Sequence, residues 1–159
     1  HAAIWAIIAE TMLKNGENAV QWYKMINPIE HTKTKEEANK YKVEPYVISA
    51  DIYGAQNLVG QGGWTWYTGS SSWYYIAGIE YILGLRINNN ILSIKPCIPK
   101  NWDKYSIQYK YGESIYNIKV NNISKVSTGV RRVFIDGVEA ENKILLDSSG
   151  KVFNIDIEM

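Results

Sequence analysis

The stretch Gly60-Gln61-Gly62-Gly63-Trp64-Thr65-Trp66-Tyr67-Thr68-Gly69-Ser70 is a glycine-rich aromatic segment that runs into a predicted helix. Glycines this close together disfavour a regular element, so a loop is expected before Ser70. The first turn of a helix leaves backbone N–H groups unpaired, and its dipole favours an anion. Thr68 adds a hydroxyl donor, and Gly69 lets an anion approach the backbone closely. These residues alone predict either a phosphate site or an ordinary capped helix behind a loop.

Around this loop, the apolar residues before Asn88 have helical spacing. A helix beginning near Ile4 ends near Asn15-Gly16, because an Asn-Gly pair is a helix stop signal. The polar segment from Pro28 to Lys42 is predicted to be a loop. Further helices are predicted over Glu17–Met25, Tyr46–Tyr53 and Ser70–Leu83, the last of them terminated by Gly84.

After Asn88 the apolar residues alternate with period two, which indicates short strands. Turn residues separate them closely, a pattern typical of an antiparallel β-sandwich. We therefore predict an α+β chain with a helical part at residues 1–87 and a β domain at residues 88–159. The predicted strands are 91–94, 105–109, 115–120, 133–135, 144–146 and 152–157.

Net charge, hydropathy and cysteine content limit the kinds of partner and location that this chain can have. The 159 residues carry a formal net charge of +1, which argues against a nucleic-acid partner because nucleic acid rewards a strongly basic face. No apolar run approaches the roughly 20 residues that span a bilayer. Cys97 is the single cysteine, so an internal disulfide is excluded and a reducing, cytoplasmic location is predicted. We expect Cys97 to be an inert core thiol.

The aromatic residues are biased towards rings with a polar group. Six Trp and twelve Tyr accompany only two Phe, and aromatics make up 13% of the chain. The C–H-rich faces of sugars stack on such rings, so the bias favours a carbohydrate ligand. Packing of the same rings in the core is the alternative that composition leaves open.

Several blocks of sequence, in the same order, resemble glycoside hydrolase family 94. The run from Gly62 to Ser70, with Trp73 after it, resembles the phosphate-loop signature of that family. The opening His1-Ala2-Ala3-Ile4-Trp5-Ala6 resembles its histidine-bearing helix start. The match continues through Tyr41–Val47, Met25–Pro28, Gly84–Arg86 and Pro96–Pro99 with Trp102.

The resemblance implies a fold and a set of ligand-binding residues. Family members have an (α/α)6 helical toroid followed by a small β domain, so residues 1–87 would be the last helices of an incomplete toroid. Phosphate would be held by His1, Thr68 and Gly69, with help from an arginine upstream. Trp64, Trp66 and Gln61 are expected to line the sugar pocket.

The resemblance also implies the reaction. Family members are inverting phosphorylases and glycosyltransferases that cleave β-glucosidic bonds with inorganic phosphate, which is a co-substrate, so no cofactor is expected. Their general acid is an aspartate in the middle of the helical domain, upstream of His1, and we expect no catalytic residue within this chain. Asp51, Glu44 and Glu80 are not assigned that role. No grouping of residues has metal-ligand spacing.

One departure from the family pattern bears on specificity. Cellobiose phosphorylases carry a glutamine shortly after the Glu-Pro-Tyr motif, and the matching position here is Ala50 within Ile48-Ser49-Ala50-Asp51. The resemblance is therefore strongest to the β-1,2-glucan branch. Because the chain opens inside an apolar periodic pattern, we expect that its natural start is missing.

Three interpretations remain open at this level. The chain is the phosphate-binding part of a β-glucan phosphorylase, a non-catalytic carbohydrate-binding module, or a structural cap of a cyclic β-1,2-glucan synthase. The expected partners are a β-linked gluco-oligosaccharide, phosphate and the upstream part of the same polypeptide, and a homodimer is left open. If the chain belongs to a glucan synthase, the location is the cytoplasmic side of the inner membrane.

Overall fold

The computed structural model describes residues 1–66 and 69–159 of the chain. The helices lie in the first half of these residues and most of the strands lie in the second. The helices are α1 (Ala2–Met12), α2 (Gly16–Met25), α3 (Lys35–Tyr41) and α4 (Ser70–Ile76), and α4 continues as a π-helical turn (Ala77–Ile82). The strands are β1 (Asp51–Ile52), β2 (Gly62–Gly63), β3 (Leu85–Asn88), β4 (Ile91–Ile94), β5 (Lys104–Tyr111), β6 (Ser114–Asn121), β7 (Arg132–Ile135), β8 (Val138–Ala140), β9 (Ile144–Leu145) and β10 (Val152–Glu158).

The segment predicted as a loop between Pro28 and Lys42 contains α3. A capping box starts this helix: the Thr34 hydroxyl accepts from the Glu37 backbone N–H, and the Glu37 carboxylate accepts from the Thr34 backbone N–H. The reciprocal pair satisfies two N–H groups that a helix start otherwise leaves unpaired. Tyr41, at the end of α3, is buried. The loop prediction holds for residues 28–34 and is wrong for Lys35–Tyr41, where the capping box starts a helix in spite of the charged composition.

The helix predicted over Tyr46–Tyr53 was also wrong. In its place the chain forms a turn and then β1, whose Asp51 and Ile52 pair with Gly63 and Gly62 of β2. The Ala50 N–H is already bonded to the Gly63 carbonyl at 3.1 Å. Backbone N–H and C=O groups of this segment are therefore paired with the glycine-rich loop, and a helix is not needed to satisfy them.

The two larger sheets pack face to face. The order is β5-β6-β10-β7-β8 in the five-stranded sheet and β3-β4-β9 in the three-stranded sheet. Ile94 and Ile144 of one sheet share a buried apolar cluster with Ile118 and Ile155 of the other. The α+β class is therefore confirmed. The predicted antiparallel pairing holds in both of these sheets except where β10, returning after β9, inserts beside β6 in parallel.

The helical part ends on the β part. Gly84 has a φ of +79°, and its carbonyl accepts from the Lys95 N–H at 2.8 Å. The carbonyls of Ile82 and Leu83, which a helix end leaves unpaired, accept from the Cys97 N–H and the Tyr105 hydroxyl. The change in secondary structure thus lies at Gly84, just before the predicted boundary at residues 87 and 88. Whether the parts are separate domains stays a prediction.

Further contacts join α2 to the β part. The Glu17 carboxylate accepts from the Lys100 backbone N–H at 3.0 Å and from the Ser127 hydroxyl at 2.9 Å. The bond from Lys100 is the main reason that the pKa of Glu17 lies below its usual value. Nearby, burial raises the pKa of the Cys97 thiol to about 11, so Cys97 stays protonated at neutral pH.

Replacing Gly84 by alanine is expected to destabilise the fold strongly. A Cβ at Gly84 would lie 2.2 Å from the carbonyl carbon of Lys95 and 2.3 Å from its oxygen. Gly137 has a similar φ of +83° with no atom within 4 Å of its Cβ position, so Gly137→Ala is a matched control. Both variants cost about 1–2 kcal/mol for the left-handed backbone, and only Gly84→Ala adds about 1–3 kcal/mol of overpacking. Thermal unfolding should show the Gly84 variant several degrees below the Gly137 variant, and equal melting temperatures would contradict the close contact.

Candidate functional site

The glycine-rich loop is held against β1 by backbone bonds and by the absence of side chains. A Cβ at Gly63 would lie 2.2 Å from the Tyr53 hydroxyl, and a Cβ at Gly62 would lie 2.5 Å from Cγ2 of Val43. Larger residues at these positions would separate the loop from the strand. A Cβ at either position would have to displace a side chain, so glycine favours this close pairing, which places residues 48–52 beside the loop.

Two of the three residues predicted to hold phosphate lie close together. A Cβ added to Gly69 would be 3.7 Å from Nε2 of His1, although the two residues lie far apart in the sequence. Gly69 is the N-cap residue of α4, and Ser70 in its first turn is buried. The third residue, Thr68, lies outside the described residues. The imidazole of His1 therefore faces the start of α4, where backbone N–H groups favour an anion.

Aromatic contacts hold the first turn of α1 against α4. The His1 ring meets the Trp5 ring edge to face at 6.2 Å, and Trp5 meets Trp73 of α4 in the same way at 6.1 Å. Edge-to-face pairs of this kind add to the stabilisation from burial. These contacts tie the position of His1 to α4.

A pocket of about 250 Å³ opens beside His1. His1 and Ser70 lie on its wall with Ala50 and Asp51, and Ile4, Ile26, Ile48 and Ile52 provide apolar lining. Ala50, the position at which the sequence departs from the cellobiose phosphorylase pattern, therefore faces the same pocket as His1. Within the described residues, no cluster of side chains is suited to holding a metal ion.

The two loop tryptophans adopt unusual backbone conformations. Trp64 and Trp66 have φ values of +54° and +65°, a region that costs a bulky residue of order 1–3 kcal/mol. Trp64 is 67% exposed and Trp66 is 72% exposed. Strain of this kind concentrates at functional sites. The loop thus presents large aromatic surfaces to solvent at a cost in backbone energy.

Glu44 and Tyr46 position Trp66. The Trp66 indole N–H donates to the Glu44 carboxylate at 3.2 Å, and the Tyr46 ring meets the indole at 5.9 Å. The Glu44 backbone N–H and this indole bond hold the pKa of Glu44 below its usual value. Trp66 and Tyr46 line a second pocket of about 220 Å³, which shares Ile48 with the first. Glu44 and Tyr46 belong to the Glu44-Pro45-Tyr46 motif, and the sequence alone did not indicate that they contact Trp66.

The other residues singled out from sequence occupy different positions. Gln61 contributes its backbone to the loop, because its N–H bonds to Leu58 and its carbonyl accepts from Tyr53. Glu80 forms an ion pair with Arg86 at 3.3 Å, so it is occupied away from the pocket. The lining of a sugar pocket by Gln61, Trp64 and Trp66 stays a prediction. Among the described residues, no helix is long and apolar enough to cross a membrane.

Comparison with known protein families divides the chain at the point where the helices end. Residues 1–84 match the catalytic domain of the glycosyl hydrolase 94 superfamily, and residues 85–126 match the C-terminal domain of glycosyl hydrolase family 65. The first match covers more than half of the 159 residues. The second match begins at the first residue of β3.

Curated relatives are enzymes of carbohydrate synthesis and phosphorolysis. Cyclic beta-(1,2)-glucan synthase NdvB of Rhizobium meliloti (strain 1021) is 43% identical over 79% of this chain and 4% of its own length. N,N'-diacetylchitobiose phosphorylase of Vibrio proteolyticus is 32% identical over 94% of this chain and 18% of its own length. Solabiose phosphorylase of Paenibacillus borealis is 25% identical over all of this chain and 21% of its own length.

The chain therefore spans at most about a fifth of each of these three relatives. Two of them are phosphorylases and one is a glucan synthase, which supports placing this chain in a family of phosphorylases and glycosyltransferases. Because the match over residues 1–84 covers more than half of the chain, the chain belongs to the glycosyl hydrolase 94 superfamily.

Proposed function

We propose that the chain is the phosphate-binding part of an inverting β-glucan phosphorylase and belongs to a longer polypeptide. The observation that carries this proposal is the approach of His1 to Gly69 at the start of α4, beside the 250 Å³ pocket. The small share of each relative that the chain spans supports its being part of a longer protein.

In the proposed reaction, phosphate replaces the activated water of an inverting glycosidase. An inverting glycosidase needs one carboxylic acid to protonate the leaving oxygen and a second carboxylate to activate water. Phosphate is already an anionic nucleophile, so one acid and an anion site suffice. A phosphate oxygen bonds to the anomeric carbon, the glycosidic C–O bond breaks, and the upstream aspartate gives its proton to the departing sugar oxygen. The product is an α-glucose 1-phosphate.

The residues of this chain would bind and orient the phosphate. The backbone N–H groups at the start of α4 and the Thr68 hydroxyl donate to its oxygens, and the His1 imidazole is a further donor when its Nε2 is protonated. Several charge-assisted hydrogen bonds at once offset the dehydration of a dianion. Trp64 and Trp66 are proposed to contact the sugar beside it.

The proposed substrate is a β-1,2-glucan. Ala50 lies on the pocket wall, where the cellobiose-type pattern has a glutamine, so hydrogen bonds from that amide are absent. The identity with a cyclic beta-(1,2)-glucan synthase, 43% over most of the chain, supports the same branch.

Product analysis of the longer polypeptide tests this function. Incubation with a β-1,2-glucan and phosphate should release glucose 1-phosphate, detected by phosphorus NMR, with the α configuration given by the anomeric proton signal. Free glucose formed equally well without phosphate would indicate hydrolysis and contradict the proposal. A β-configured product would contradict inversion.

A second function, non-catalytic carbohydrate binding, is favoured by the exposed rings of Trp64 and Trp66. It predicts that the longer polypeptide binds β-glucan without consuming phosphate. A purely structural cap predicts neither binding nor phosphate dependence, so the same experiment with a binding assay separates all three.

A further inference from the structure

A large cavity lies far along the sequence from the phosphate loop. It measures about 720 Å³ and opens on the outer face of the five-stranded sheet, across β5, β6 and β10. Alternate residues of each strand point to the core, including Tyr116, Ile118 and Ile155. The residues between them face the cavity, because side chains alternate across a strand.

Three amide side chains form one line across these strands. Gln108 of β5 is the register partner of Asn117 of β6, and Asn117 is the partner of Asn154 of β10. Neighbouring strands are about 4.8 Å apart, so the amides repeat at about that interval. We call Gln108, Asn117 and Asn154 the amide row.

Hydrogen bonds orient the amide row in one direction. Nε2 of Gln108 donates to Oδ1 of Asn117 at 3.0 Å, Nδ2 of Asn117 donates to Oδ1 of Asn154 at 3.3 Å, and Nδ2 of Asn154 donates to Oδ1 of Asp136 at 3.3 Å. Each amide NH₂ has two hydrogens and each amide oxygen has two lone pairs. Along this chain of bonds each amide uses one hydrogen and leaves the second for a ligand.

A second line of polar side chains lies next to the amide row. Ser106, Lys119 and Asp156 are register partners across the same three strands and also line the cavity. Lys119 and Asp156 carry opposite charges, so this line has no net charge. Lys104 adds one positive charge to the cavity lining and Asp136 adds one negative charge at the end of the amide row, so a charged ligand such as free phosphate or nucleic acid would gain little here.

The chemistry of this face does not match a protein partner. The centre of a protein interface is enriched in aromatic residues and poor in charged ones. One aromatic ring on this face, Phe134, is covered by the Arg132 guanidinium at 4.5 Å. Sugar hydroxyls both donate and accept hydrogen bonds, as primary amides do, and the 720 Å³ volume lies in the range of small-molecule sites.

We propose that the outer face of the five-stranded sheet is a second, non-catalytic binding surface for a neutral oligosaccharide, centred on the amide row. The choice of a β-linked gluco-oligosaccharide as its ligand rests on the proposed function. The surface would keep a glucan chain close to the protein without taking part in bond cleavage.

Titration of the 159-residue chain with a soluble β-1,2-linked gluco-oligosaccharide, followed by NMR, tests the proposal. The side-chain NH₂ signals of Gln108, Asn117 and Asn154 should shift with a common dissociation constant. Asn117→Ala should weaken this binding about five- to tenfold, since it removes hydrogen bonds at the centre of the row. Asn121→Ala is the matched control, because Asn121 has the same type, strand and face but does not line the cavity.

A second variant covers the case in which Asn117→Ala fails to fold. Gln108 lies on the edge strand β5 and is exposed, so Gln108→Ala should fold and weaken binding similarly. Trp66→Ala should leave the shifts of the amide row unchanged. Equal affinities of the Asn117 and Asn121 variants, or shifts confined to the loop tryptophans, would overturn the proposal. Phosphate kinetics do not enter this test, so its failure is distinguishable from failure of the proposed function.

Discussion

The isolated 159-residue chain is expected to release no glucose 1-phosphate from any β-linked glucobiose or β-1,2-glucan. In the proposed mechanism, protonation of the leaving oxygen depends on an aspartate upstream of His1. Loss of a general acid alone typically lowers a rate about 10²–10⁴-fold. Most of the sugar-binding surface would be missing as well, because the chain spans 18% of a chitobiose phosphorylase. The combined loss should place the activity below detection.

The measurement is an enzyme-coupled assay for glucose 1-phosphate, with a heat-killed sample as the blank. The longer polypeptide serves as the positive control under the same conditions. Circular dichroism should show helix and strand in the isolated chain, so that inactivity is not due to unfolding. Release above the heat-killed blank would show that this chain contains its own acid, and the assignment of that role to an upstream aspartate would be abandoned.

Much of the β part could be predicted because its signals are local. The prediction for Ile91–Ile94 coincides with β4, and the prediction for residues 115–120 lies within β6. Strand β8 was missed although its signal was present. Asp136 and Gly137 both have positive φ, the geometry of a two-residue hairpin turn, and such a turn requires a partner strand after β7. The parallel pairing of β10 with β6 was not predictable, because β7, β8 and β9 lie between them in the sequence and local patterns do not specify such distant pairing.

The errors in the helical part have a different cause. Residues 46–53 contain apolar side chains at helix-like spacing, but their backbone bonds are made to the glycine-rich loop. Tertiary pairing overrode local preference there. The start of α3 was predictable, because Thr34 and Glu37 have the spacing of a capping box.

The candidate site was only partly accessible to sequence reasoning. The approach of His1 to Gly69 was expected from the family resemblance, since spacing alone does not indicate contact between residues so far apart in the sequence. The contact of Glu44 with Trp66 was not expected, because the two residues are 22 positions apart and their spacing does not indicate a contact. Backbone strain at a tryptophan has no signature in sequence.

Replacing Thr68 by valine in the longer polypeptide is expected to raise the KM for phosphate about 10- to 100-fold. Valine keeps roughly the same shape and removes one hydroxyl donor, and a hydrogen bond to a charged group contributes about 1.5–3 kcal/mol. The KM for the glucan should change much less, because only the phosphate contact is lost. Thr65→Val is the matched control: Thr65 lies in the same loop and hydrogen-bonds to Glu44. It should leave the KM for phosphate unchanged.

The KM for phosphate of the Thr68→Val polypeptide, measured at saturating glucan beside the parent and the Thr65→Val control, tests the central claim most directly. The account predicts a large rise for Thr68→Val alone. An unchanged KM for phosphate would contradict the assignment of the phosphate site to the start of α4, and the loop would then have to be interpreted as scaffold.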